Sequence, residues 1–454
     1  MTMTHAMTAA DYQAIQQPGL NKEQLTYSDI EPVLAHHKNN PLFHFEQIGQ
    51  SLYGVPIHQI TIGQGEKRIL AWSQMHGDES TATAALLDLL NYIAADEQKG
   101  WRDSWLNNVT LRLIPMVNPD GAELGTRYTA QGIDMNRDAK TLQTPEGKIL
   151  MNAAKAFKPH FGFNLHDQNR HYAVGEGFKP ATISLLAPAF DHQKTVDEPR
   201  KRAMQLIGDM AELVEQEIPG HLGRYNDTYS ERSFGDTFAG MGISTILVES
   251  GGYPADDTRQ IARRVNAQLL VRMINSIVSD SYLNIPADRY NQIPFNRSGG
   301  VKDVVISNLQ LTLQQQTASI DVAFDLDLKA AKRARIDDIG DLSIFGSYHQ
   351  LDATGLNYQP GRAYSLRSVL QLTDDSYLEL LKQGYTHFSG DEGLLRNNSQ
   401  YPVLINPRGL PEESLQRRQS ATFVLNNGTA IRYSVINGQI IDLQNGRVLN
   451  PLGT

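Results

Sequence analysis

Between residues 45 and 280, short apolar runs alternate with stretches whose apolar residues recur every three or four positions. The expected strands are 56–62, 68–75, 109–117, 161–166, 182–187 and 243–249, and the expected helices 80–95, 145–157, 196–217 and 255–280. In the last of these, Ile261, Val265, Leu269 and Met273 fall on one helical face. A chain built this way must gather its strands into a sheet and cover that sheet with helices. The expected fold is α/β, with a mixed, largely parallel sheet flanked by helices. In such sheets ligands collect at the carboxyl ends of the strands.

Polar residues able to do chemistry fall at those ends. His76-Gly-Asp-Glu79 follows the apolar run 68–75 and opens the helical pattern from Thr81. A His and a Glu three apart at a strand-to-helix junction can turn onto one cation, and an open zinc site uses three protein ligands plus water. His166 ends Phe161-Gly-Phe-Asn-Leu, and Glu249 ends Ile243-Ser-Thr-Ile-Leu-Val. A carboxylate closing so apolar a run is costly to desolvate unless it is paired or near a metal. Val117-Asn-Pro-Asp-Gly121 and Gly132-Ile-Asp-Met-Asn-Arg137 lie between these elements. The chain has no cysteine, so any zinc site must use His and carboxylate.

Taken in order, these segments resemble the zinc carboxypeptidase family, and in motif most closely its bacterial murein peptide amidase-like members. The resemblance spans roughly residues 45 to 280. It implies one zinc ion held by His76, Glu79 and His166, with Glu249 as the general base. It further implies that Asn136 and Arg137 grip the substrate's terminal carboxylate, and that Arg127 stabilises the oxyanion. A loop tyrosine is expected shortly before the base: Tyr225 and Tyr229 both qualify, with Tyr229 preferred. Phe234–Gly240 is expected to line the side-chain pocket, where Asp236 is the one counter-charge in view. The implied activity is hydrolysis of a carboxyl-terminal peptide bond or of a bond to diaminopimelate. The alternative is an N-acyl amino-acid deacylase of the aspartoacylase or succinylglutamate desuccinylase type. Either substrate carries a free carboxylate.

Three regions are expected: a lead-in over 1–44, the catalytic domain over 45–285, and a β-rich domain over 300–454. In the last, Ile320, Val322, Phe324, Leu326 and Leu328 alternate with Asp321, Ala323, Asp325 and Asp327, which reads as a strand with a solvated acidic face. Asn427-Gly428, Asn437-Gly438 and Asn445-Gly446 mark tight hairpins. The formal charge of −9 argues against a general nucleic-acid role. No apolar run approaches the ~20 residues of a membrane span. The first residues lack a basic region followed by an apolar core, so the expected location is cytoplasmic.

Overall fold

The computed structural model describes residues 5–327 and 333–451. The chain divides into two compact units, one of Met1–Gly175 with Lys179–Ser298, the other of Glu176–Phe178 with Gly299–Thr454.

The first unit opens with two helices, α1 (Ala9–Ile15) and α2 (Tyr27–His37). Its strands are β1 (Phe43–Gln50), β2 (Pro56–Ile62), β3 (Lys67–Ser73), β4 (Val109–Ile114), β5 (Phe161–Asp167), β6 (Ala173–Val174), β7 (Ile183–Leu186), β8 (Leu222–Arg224) and β9 (Ser244–Ser250). The remaining principal helices are α3 (Thr81–Ala94), α4 (Lys99–Trp105), α5 (Pro119–Leu124), α6 (Pro145–Phe157), α7 (Glu198–Glu217), α8 (Phe234–Gly240) and α9 (Gln260–Ser279). Eight strands form one sheet in the order β1-β2-β4-β3-β5-β9-β7-β8. Its centre is parallel, β4-β3-β5-β9; β1–β2, β2–β4 and β9–β7 are antiparallel pairs, and β8 runs parallel to β7.

Period-two alternation in β3 shows how the sheet is sandwiched. Ile69 and Ala71 join the larger core with α3 and α9, whereas Leu70 and Trp72 face the other way into a core with α6 and α8. Trp72 is fully buried and meets Phe238 edge-on, with ring centroids 5.3 Å apart. β3 is thus covered on both faces, which is why its interior, Ile69 to Trp72, is a continuous apolar run.

The strands stop earlier than their hydrophobicity suggests. β3 ends at Ser73 and β4 at Ile114, just before Pro115. Gln74 to Ser80 and Val117-Asn118 therefore belong to the connections at the sheet's carboxyl edge. Phe234–Gly240, expected as pocket lining, is the helix α8, whose Phe234 and Phe238 are core residues. Among the described residues, no helix is long and apolar enough to cross a membrane.

The second unit is built on a nine-stranded sheet running from Val301–Leu313 and Gln316–Asp327 to Arg447–Val448. Two small two-stranded parallel sheets and the helix Asp374–Lys382 accompany it. The expected acidic face is not simply solvated. Asp321 accepts the backbone N–H groups of Asn308 and Leu342, and Asp325 accepts that of Asp303. Leu328 lies outside the described residues, as does the side chain of Asp327. Of the Asn-Gly pairs, Asn437-Gly438 makes a two-residue hairpin with φ values of 49° and 81°, as its turn type requires. The other two sit in longer connections.

Candidate metal centre

The turn from β3 to α3 carries His76 and Glu79. Gly77 is obligatory here, because a Cβ would overlap the backbone of Gly121 at the start of α5. Asn118 locks the two connections together. It caps α5 by accepting the Gly121 N–H (2.9 Å), and its Nδ2 donates to the Met75 and Tyr128 carbonyls (both 3.2 Å). The Asn-Pro-Asp-Gly stretch is therefore a scaffold for the His76 turn.

His166 closes β5, one strand over from β3. His76 Nδ1 lies 2.8 Å from Glu79 Oε1, His166 Nδ1 lies 2.7 Å from Glu79 Oε2, and the two Nδ1 atoms are 3.1 Å apart. All three residues are buried. Two imidazole nitrogens and a carboxylate thus aim at one point. At zinc–ligand distances of ~2.0–2.1 Å, tetrahedral donors stand ~3.3 Å apart, so small outward shifts would let all three reach one ion. The donor set fits zinc. His76 Nε2 is 3.2 Å from Asp134 Oδ1. A proton there leaves the Nδ1 lone pair free, and such a carboxylate behind a histidine ligand fixes its tautomer. His166 Nε2 is buried without a protein partner.

Electrostatics follow from this crowding. Burial alone would raise the Glu79 carboxyl, but His76 and His166 overcome it and hold it far below the ordinary range. Burial lowers His76 as well, yet Glu79 and Asp134 outweigh it and raise the imidazole. Arg127 Nη1 is 3.1 Å from both Glu79 Oε1 and His76 Nδ1, and its Nε donates to Asp134 (3.0 Å).

Glu249 is the register partner of His166 on the adjacent parallel strand β9. Burial, then the charges of Glu79 and Asp167, push its carboxyl well above the usual range, while Arg127 and Arg259 pull against them. Asp167 is raised to about 6, first by burial, and accepts the N–H and hydroxyl of Thr81.

The pair expected to grip a substrate carboxylate is Asn136 and Arg137. Separated from Asp134 by Met135 alone, they reach the start of α8. Asn136 Oδ1 accepts the Phe234 N–H (2.9 Å), and Arg137 Nη1 donates to the Asn136 carbonyl (2.7 Å) and Ser233 Oγ (3.1 Å). Arg137 is exposed. The two loop tyrosines differ in their surroundings. Tyr229 packs edge-on against His192, whereas Tyr225 is raised by burial and then by the charge of Glu249. Its neighbour is Tyr172, with ring centroids 6.0 Å apart. Asp134 and Tyr172 had no strand-end or ligand-spacing signal, although Asp134 stands inside the Ile133–Arg137 motif; Asp167 stood at the strand end beside His166 and was passed over.

Comparison with known proteins adds relatives to this geometry. Residues 33–178 match the zinc carboxypeptidase family. Carboxypeptidase 2 of Trichophyton rubrum is 28% identical over 123 residues, 27% of this chain and 22% of the fungal protein. Gamma-D-glutamyl-L-diamino acid endopeptidase 1 of Lysinibacillus sphaericus is 37% identical over 90 residues, 18% of this chain and 23% of that protein. Murein peptide amidase A of Escherichia coli K12 is 23% identical over 202 residues, 40% of this chain and 75% of the amidase. The chain thus spans less than a quarter of the fungal relative's length. A crystal structure of a metallo-carboxypeptidase from Burkholderia cenocepacia superposes with a TM-score of 0.45 at 18% identity, covering 58% of this chain and 71% of that one.

Proposed function

From the match of residues 33–178 to the zinc carboxypeptidase family we propose that the chain hydrolyses the amide bond next to a carboxylate-bearing terminal residue. The observation that carries the reading is the convergence of His76, Glu79 and His166 with Glu249 as the cross-strand neighbour of His166.

Zinc held by those three residues would supply Lewis-acid polarisation of the scissile carbonyl and lower the pKa of the attacking water. Glu249 takes that water's proton on a carboxylate oxygen and returns it to the leaving nitrogen. Arg127 turns its guanidinium to the developing oxyanion; its Nη1 already lies at the cluster. Arg137 holds the terminal carboxylate by a two-pronged contact, with Asn136 adding its Nδ2, since its Oδ1 is engaged by Phe234. Tyr225, raised by burial and then by the charge of Glu249, stands near the base. A relative named for γ-D-glutamyl-L-diamino acid bonds makes that bond a candidate substrate beside ordinary peptides.

The deciding test is a substrate panel on zinc-loaded protein: free-acid peptides, the same peptides amidated, and γ-D-glutamyl-diaminopimelate. Amidation should abolish cleavage. Equal rates on amidated and free peptides would refute the carboxypeptidase reading, and release from small N-acyl amino acids alone would favour the deacylase.

A further inference from the structure

The metal turn is held from behind by a segment that precedes the stretch matched to the family, which begins at residue 33. Gln74, two residues before His76, is fully buried and left-handed, with φ of 50°. A non-glycine residue keeps that conformation only when its surroundings dictate it. Here they do. Gln74 Nε2 donates to the carbonyls of Leu25 (2.7 Å) and Gly77 (2.9 Å). Its Oε1 accepts the Thr83 hydroxyl (2.9 Å), and its carbonyl accepts the Asn118 N–H (3.0 Å).

The other end of the turn is tied to the same segment. Ser80, directly after Glu79, accepts the Leu25 N–H on its hydroxyl (3.2 Å) and donates to the Glu23 carbonyl (3.3 Å). Both main-chain groups of Leu25 are thus spent on the turn, one at each end, and its side chain is anchored in the core with 1% exposure. Ser80 is buried and makes no side-chain cap to α3, so its hydroxyl serves this link.

We propose that Glu23–Leu25 is a brace that sets the spacing of His76 and Glu79, with Gln74 and Ser80 as its positioning residues. The inference rests on the reading of His76 and Glu79 as metal ligands. It adds that metal affinity in this chain depends on a segment far from the ligands in sequence. Support of this kind around metal ligands typically governs affinity by about 10–100-fold.

The test compares Gln74→Glu and Ser80→Ala with Gln205→Glu. Gln205 is a matched control: on α7, its Nε2 also donates to two carbonyls, those of Leu283 (3.2 Å) and Ile285 (3.0 Å). Three quantities are read: zinc affinity by chelator competition, the visible spectrum of the cobalt-substituted protein, and the metal-free Tm. Gln74→Glu and Ser80→Ala should each weaken zinc by about 10–100-fold and change the cobalt bands. Gln205→Glu should lower Tm comparably and leave both metal readouts at wild-type values. If the Gln74 and Ser80 variants bind zinc within twofold of wild type with an unchanged cobalt spectrum, the brace is refuted, whatever their Tm. Should Gln74→Glu fail to fold, Ser80→Ala, which only removes a hydroxyl, decides alone. A wild-type protein that binds no zinc would refute the metal reading itself, and the brace with it.

Discussion

Glu249 and His166 are register partners with different proposed jobs, and single substitutions separate them. Glu249→Gln keeps the shape and removes the proton acceptor. Zinc content should stay stoichiometric while kcat falls by on the order of a hundred- to ten-thousandfold; near-normal turnover would mean another group activates the water. His166→Ala should instead lose the metal, checked by metal analysis after dialysis. At the carboxylate end, Arg137→Ala and amidation of the substrate remove the two halves of one contact. Their combined cost in kcat/KM should barely exceed either alone, and Arg137→Lys should rescue little because an ammonium lacks the planar fork. His76, Glu79 and His166 were legible because ligand chemistry restricts residue type and the sheet restricts position. Gln74 and Asp134 were not. Their roles depend on hydrogen bonds to Leu25 and His76, 49 and 58 residues away in sequence, which no local pattern encodes.

At the level of elements, the lead-in is held by a polar core. Asp88 of α3 and Arg263 of α9 form a two-pronged pair at 2.7 Å with side chains 0% and 1% exposed. Asp88 also accepts the Tyr12 hydroxyl and the Gln17 N–H, and Arg263 donates to the carbonyls of Gln17 and Leu20. Asp88→Ala strands a buried guanidinium and should cost about 3–5 kcal/mol by denaturant unfolding. In α8, burial is the first cause raising the Asp236 carboxyl to about 6, against the N–H of Ser230 and the charge of Arg137. The folded protein therefore binds this proton more tightly than the unfolded chain. The resulting stability is fully present below pH 3.8 and is lost as pH rises through about 6. Asp236→Asn, whose Oδ1 can still accept from Ser230, should raise Tm at pH 7.5, and the advantage should vanish near pH 4; a constant gap would refute this. The helices over 145–157 and 196–217 were readable because their apolar faces repeat. α8 was not: seven residues are too short to show a period.

On the scale of the molecule, each unit has its own buried core. Calorimetry should show two transitions, with chelator moving only one of them. Zinc at 100 to 1,000 times its Kd would stabilise that unit by about 2.7–4.1 kcal/mol, and a shift in both would mean that the units unfold as one. The long reach of the lead-in's bonds also sets a timetable for synthesis. Asn275 donates to the His5 carbonyl across 270 positions, and Arg263 to that of Gln17 across 246. At ~5–20 residues per second, residues near the beginning of the chain wait on the order of ten seconds to a minute for these partners to be made. Until α9 emerges from the ribosome, the lead-in has its partners on α3, among them Asp88, while its bonds to Arg263 and Asn275 must wait.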